Sequence, residues 1–231
     1  MKNEADNDGV TKLMLSNNLM GGESYALVND VDEYYSRLET LLDDIKQGKG
    51  ESCNYLYFAF VTLASATLEY SLNLMLATHC FRKFSVQMYE EHLQAFLNLK
   101  FIPKIEITPE IVSEGKYSIK KDVPTLQQLK ELVDKRHCLM HNSKTVKVQN
   151  FDAPNIGGCV LDGKICIPID SLNDDGTLDF YFESKDNAIT TLKAKWCLRM
   201  GNAILKYRDC VVNPYLTQFK LIENDLLKKI Q

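Results

Sequence analysis

Apolar residues recur every three to four positions along most of the chain, which is the spacing of amphipathic helices. Within the first hundred residues the pattern predicts helices at about 30–47, 51–80 and 85–100. A fourth helix is predicted to begin at Pro124, because proline is favoured in the first helical turn, and to end near Asn142. Pro103 and Pro109 predict that 104–123 is a loop with room for short strands.

The period of the hydrophobic pattern changes after residue 144. The runs TVKV, CVLDGKICIPI and TLDFYF are short and rich in β-branched or aromatic residues, and Asp162-Gly163 is a strong hairpin signal. We expect a small antiparallel meander at about 145–184. A fifth helix is predicted from Asp186 or Asn187 to about Asp209, and a last one from Pro214 to the C-terminus.

These elements predict one mainly α-helical domain. Residues 1–23 read as a flexible N-terminal tail that ends at the Gly21-Gly22 breaker, and 24–231 as a single domain. The expected fold is an antiparallel helical bundle with a small antiparallel β insertion between the fourth helix and the C-terminal helices.

Composition narrows the functional classes. The 231 residues are 45% hydrophobic and 25% charged, which is typical of globular proteins, and the net charge of −4 argues against a protein that coats nucleic acid. The seven cysteines include no C-x-x-C pair, so neither a disulfide framework nor a zinc ribbon is expected, and free thiols suggest the cytoplasm. The apolar run 55–80 carries Glu69 near its middle, which favours a buried helix over a membrane span.

One arginine in the fourth helix is predicted to need an anionic partner. On a helical projection Arg136 falls inside the arc of apolar residues, where an unpaired cation is costly. The second helix offers Glu69, the only charge in a polar stripe formed by Thr62, Ser65, Glu69 and Asn73. We expect Glu69 and Arg136 to pair. The pair is either only a structural link between two helices, or a link that in addition positions Arg136 for a phosphate.

The segment Arg136-His137-Cys138-Leu139-Met140-His141 matches the R-x4-6-H signature of the HEPN superfamily (higher eukaryotes and prokaryotes nucleotide-binding). The preceding apolar helix with a central glutamate, ATLEYSLN, strengthens the likeness. The chain therefore resembles HEPN proteins, and the β insertion departs from their minimal bundle. The resemblance implies a helical bundle and a homodimer in which two motifs meet in a cleft. It also implies a cofactor-free, metal-independent ribonuclease acting on RNA in a toxin, phage-defence or RNA-processing role, with an antitoxin or defence-system partner protein.

By this resemblance, His141 would be the general acid or base and Arg136 would bind the scissile phosphate, in accord with the chemistry of imidazole and guanidinium groups. His137 would orient His141 or contact the phosphate, and Asn142 would assist. Arg136 and His141 are about 140° apart on an ideal helix. They meet at one phosphate if the helix distorts or if a dimer supplies a composite site.

Residues 186–231 form the basic part of the chain, with eight basic and four acidic residues. Lys195 and Arg199 are candidates for contacts with RNA phosphates, and the alternative is that they form the solvated face of an amphipathic helix. Trp196 falls on the apolar stripe of that helix, so we expect it to pack in the core and not to stack on bases.

Two other interpretations remain open. Asp134, His137 and His141 share one helix face at metal-ligand spacing, with Glu69 as a further candidate ligand, but the sequence contains no second ligand cluster and we expect no metal. A non-catalytic HEPN-like module that binds a nucleotide or a protein through the same surface is the alternative from another functional class.

Overall fold

A computed structural model describes residues 14–17, 24–49, 55–140, 159–161, 164–166 and 192–230. The described part is mainly helical, as predicted. The helices are α1 (Val31–Lys46), α2 (Tyr55–Lys83), α3 (Val86–Leu97), α4 (Phe101–Val112), α5 (Pro124–Met140), α6 (Ala194–Tyr207) and α7 (Asn213–Gln218). The strands are β1 (Met14–Asn17), β2 (Ser24–Leu27), β3 (Tyr117–Ile119), β4 (Cys159–Leu161), β5 (Lys164–Cys166) and β6 (Leu227–Lys229).

Helix α2 is the centre of the bundle. It packs against α1, α3, α4, α5 and α6, and Leu68, Leu72 and Met75 on it are fully buried. A helix that is apolar on most of its faces is suited to such a central place. By length and composition alone α2 is apolar enough to cross a membrane, and 61% of its most apolar window is buried within the bundle.

Helices α1 and α6 pack closely because α6 carries a glycine at the contact. A Cβ atom on Gly201 would lie 2.5 Å from Cδ2 of Leu42 on α1. Both residues are buried. The absence of a side chain at Gly201 therefore sets how near the two helices approach, and larger residues there would separate them.

The prediction of a loop at 104–123 is wrong for residues 104–112, because residues 101–112 form α4. Pro103 lies in the first turn, where the backbone N–H groups have no helical partner, so it costs no hydrogen bond. Pro109 lies inside the helix and cannot donate to the carbonyl of Ile105. That carbonyl instead accepts a hydrogen bond from the hydroxyl of Tyr207 on α6, at 3.4 Å.

The C-terminal part also differs from the prediction. Residues 192–193 are not helical, so α6 begins at Ala194 and not at 186–187. A π-helical turn, Arg208–Val212, leads directly from α6 into α7. The last helix ends at Gln218, since the chain then extends to β6, which pairs antiparallel with β3. Buried Leu226 and Leu227 anchor this end, so an apolar pattern that read as helical serves an extended segment.

The described strands outside the bundle bear on two predictions. Strands β4 and β5 pair antiparallel on either side of Asp162-Gly163, which confirms the hairpin, and the rest of 145–184 lies outside the described residues. The prediction of a tail without structure is wrong for residues 14–17, because β1 pairs antiparallel with β2.

Candidate functional site

The predicted contact between Glu69 and Arg136 is present. A guanidinium nitrogen of Arg136 on α5 lies 3.4 Å from a carboxylate oxygen of Glu69 on α2. The side chains are 40% and 34% exposed, so the pair is half-buried and not enclosed in the core. Arg136 therefore keeps part of its surface available to a ligand, while Glu69 holds its guanidinium toward α2.

Phe101, at the start of α4, supplies a second contact to the same arginine. The central guanidinium carbon of Arg136 lies 5.6 Å from the centroid of the Phe101 ring, within the range of a cation–π interaction. Three helices thus meet at this guanidinium: α2 through Glu69, α4 through Phe101, and α5, which carries it.

A buried lysine completes the charged cluster. The ammonium of Lys104 on α4 donates hydrogen bonds to Oδ1 of Asn73 at 2.9 Å and to the carbonyl of Leu97 at 3.0 Å. Burial lowers the pKa of Lys104, and the negative charge of Glu69 acts in the opposite direction. Lys104 is only 2% exposed, so its ammonium lies on the buried side of the cluster and is shielded from solvent.

Sequence reasoning found Glu69, Asn73 and Arg136 but missed Lys104 and Phe101. Both missed residues fall in or beside the segment that the prolines led us to predict as a loop. A helical spacing from Phe101 through Ile105 to Thr108 was the available signal. Within the described part of the chain, the remaining members of the polar stripe form no hydrogen bond to the cluster. Thr62 donates to the carbonyl of Phe58 in its own helix, and the buried hydroxyl of Ser65 has no partner there.

The structure describes only the first of the two histidines in the motif. His137 is exposed on α5, about 100° around the helix from Arg136. His141 and Asn142 follow the end of α5 directly and lie outside the described residues. The structure therefore describes the arginine half of the R-x4-6-H motif and its surroundings.

The alternative of a metal site is described only in part, because its candidate ligand His141 lies outside the described residues. No group of three or more His, Cys, Asp or Glu side chains in the described ranges is close enough to hold a metal ion. Glu69, the candidate fourth ligand, is engaged with Arg136, and Asp134 is exposed.

The basic helix α6 presents a second group of interest. Arg199 donates to both carboxylate oxygens of Glu131 on α5 at 2.9 Å, and the indole N–H of Trp196 donates to the same carboxylate at 2.5 Å. Trp196 is half-buried and packs edge-on against Phe60, with 6.3 Å between ring centroids. Trp196 thus packs against the core, as expected. Part of its surface remains exposed, as does part of Arg199, so the expectation that Trp196 does not stack on bases stays a prediction. Lys195 is exposed.

Comparison with known proteins identifies no relative: no family model matches the chain, and no curated protein or solved structure is significantly similar to it.

Proposed function

We propose that this protein is a metal-independent endoribonuclease of the HEPN type. Arg136 binds the scissile phosphate and His141 acts as general acid or base at a cleft between two copies of the chain. The observation that supports this most directly is the Glu69–Arg136 pair, which orients a half-exposed guanidinium at the end of α5, five residues before His141. A toxin, phage-defence or RNA-processing role, with an antitoxin or defence partner, follows from the same resemblance.

The chemistry needs no group beyond these side chains. A neutral imidazole takes the proton from a ribose 2′-OH, and the resulting oxygen attacks the adjacent phosphorus. The bond from phosphorus to the 5′-oxygen breaks, and a protonated imidazole returns a proton to that oxygen. The products are a 2′,3′-cyclic phosphate and a 5′-hydroxyl. A guanidinium that binds two phosphate oxygens stabilises the negative charge that increases in the transition state.

A two-fold dimer accounts for the angular separation of the two residues. Arg136 is turned toward α2 and α4, and a helical continuation of α5 would place His141 about 140° away. When each motif faces its copy, the arginine of one chain and the histidine of the other approach one phosphate.

A second candidate is a non-catalytic module that binds a nucleotide or a protein. The observation that favours it is that Glu69 and Phe101 already neutralise and cover part of Arg136, which is the arrangement of a structural pair. In that case the same surface binds its ligand without cleavage.

An RNA-cleavage assay tests the proposal. Wild type, Arg136→Ala and His141→Ala are incubated with several single-stranded and structured RNAs in EDTA, with circular dichroism to show that each variant folds. Arg37→Ala and His92→Ala are matched controls, since Arg37 pairs with Glu33 on the exposed face of α1 and His92 stacks on Phe84.

We expect cleavage by wild type and both controls in EDTA, and a loss of about 100-fold or more in the two motif variants. The proposal fails if wild type is inactive on all RNAs or if the motif variants retain full activity. Activity that EDTA abolishes and added metal restores would instead support the metal-site alternative.

A further inference from the structure

A cavity lies between α5 and α6, and none of its described lining residues belongs to the Glu69–Arg136 pair. Its volume is about 630 Å³, within the 300–1,000 Å³ range of small-ligand sites. Six of its lining residues are Gln128, Lys193, Lys195, Trp196, Arg199 and Asn202. The lining combines one aromatic ring with three cations, and no carboxylate belongs to its described part.

The aromatic wall is held in one orientation. The indole N–H of Trp196 donates to Glu131, and the ring packs at 89° against Phe60. Arg199 is fixed by two hydrogen bonds to the same Glu131 carboxylate. An aromatic surface that is already ordered loses little conformational entropy when a flat ligand stacks on it.

The two lysines of the cavity differ from Arg199 in their ion pairing. Lys193 and Lys195 are exposed at the start of α6, and within the described part of the chain neither forms a salt bridge with a carboxylate. Glu131 offsets the charge of Arg199, so the two lysines supply the net positive charge of the cavity. The ligand is therefore expected to carry negative charge next to a flat apolar body.

We propose that this cavity binds one nucleotide of a single-stranded RNA, with the base against Trp196 and the neighbouring phosphates on Lys193 and Lys195. A basic groove with a stacking aromatic side chain is the arrangement by which proteins bind single strands without reading their sequence. The choice of RNA rests on the proposed function. Gln128 precedes Arg136 by about 12 Å along α5, so a strand held in the cavity is within a few nucleotides of the arginine.

Binding is measured apart from cleavage, in full-length protein carrying His141→Ala so that the RNA stays intact. The probes are a fluorescently labelled single-stranded octanucleotide, the matching RNA duplex, AMP and inorganic phosphate. Trp196 is the only tryptophan in the chain, so quenching of its fluorescence reports directly on a base in the cavity. Anisotropy of the labelled strand gives the affinity of variants that lack the indole.

We expect the octanucleotide to quench Trp196 and Trp196→Phe to weaken its binding by about tenfold. The double variant Lys193→Ala/Lys195→Ala lowers affinity and reduces the slope of log affinity against log salt by about 1.4, since each phosphate contact on a single strand contributes about 0.7. Lys46→Ala/Lys220→Ala removes two exposed lysines elsewhere and is the matched control.

The inference is overturned if the octanucleotide leaves Trp196 fluorescence unchanged, if the lysine pair and its control behave alike, or if the duplex quenches as well as the single strand. Quenching by AMP as strong as that by the octanucleotide would assign the cavity to a free nucleotide and also overturn it. If wild type cleaves RNA but these binding effects are absent, the proposed function stands and this inference fails. If the binding effects are present but no RNA is cleaved, this inference stands and the proposed function fails.

Discussion

The guanidinium of Arg136 is held by groups from two other helices, yet 40% of the side chain remains exposed. Ion pairs that contact solvent to this extent contribute about 0–1 kcal/mol to stability. A contact of that strength contributes little to the stability of the packing between α2 and α5. Its larger effect is on the position of the guanidinium, which Glu69 draws to one side while Phe101 covers one face.

Glu69→Gln separates these two effects. The amide removes the charge but keeps the size, so we expect the free energy of unfolding to fall by about 1 kcal/mol or less, measured by urea denaturation. If Glu69 positions Arg136 for the transition state, RNA cleavage falls by about tenfold or more, in kcat with little change in KM.

Glu39→Gln is the matched control for this prediction, because Glu39 pairs with Arg208 at 2.7 Å elsewhere in the bundle. It should change stability by a similar amount and leave cleavage unchanged. Equal activity in Glu69→Gln and the control would mean that the Glu69–Arg136 pair is structural only.

Helical spacing is sufficient to predict the Glu69–Arg136 pair, because each of these two charges falls among apolar positions of its helix, where few opposite charges are available. The helical projection overestimated the burial of Arg136, because it shows which side of the helix a residue faces and not how far a long side chain reaches toward solvent. Lys104 could not be found this way. Its burial depends on hydrogen bonds to Asn73 and the Leu97 carbonyl, which only the packing of α2, α3 and α4 brings together.

At the scale of elements, α4 shows how a helix tolerates a proline in its interior. Pro109 leaves the carbonyl of Ile105 without a helical donor, and the hydroxyl of Tyr207 takes that place. Burial raises the pKa of Tyr207, so the hydroxyl stays protonated and available as a donor. Two prolines within seven residues predict extended chain from sequence, because the compensating donor lies on α6, more than ninety residues later.

This arrangement predicts that Tyr207 and Pro109 are energetically coupled. Tyr207→Phe leaves a buried carbonyl unsatisfied and should lower the free energy of unfolding by about 1–3 kcal/mol. In Pro109→Ala the new backbone N–H can bond to Ile105, so the same tyrosine substitution should cost less, with a coupling of about 0.5 kcal/mol or more.

The measurement is a double-mutant cycle by chemical denaturation on wild type, each single variant and the double variant. Tyr70→Phe is the control tyrosine, since its hydroxyl contacts the backbone N–H of Asp30, far from α4 along the chain. Additive effects of Tyr207→Phe and Pro109→Ala would contradict the proposed replacement of one donor by the other.

For the whole molecule, the sequence predicted the mainly helical class and its central apolar helix because the hydrophobic period persists over long segments. It mispredicted the C-terminus, where Leu226 and Leu227 fit a helical stripe but are buried at the start of β6, the strand that pairs with β3. That pairing joins residues more than a hundred positions apart, and short-range periodicity carries no information about such a partner. The same limit applies to any site that two copies of the chain build together.

Mixing two inactive variants tests such a composite site. If each site uses Arg136 of one chain and His141 of the other, a mixed dimer of Arg136→Ala and His141→Ala contains one intact site and one doubly defective site. Random exchange makes half of the dimers mixed, so cleavage should return to about a quarter of the wild-type rate. The variants are refolded together or coexpressed with different tags, and tandem purification shows that mixed dimers form. If verified mixed dimers cleave no RNA although wild type does, each site lies within one chain or needs all four side chains, and the composite arrangement proposed for this cleft is wrong.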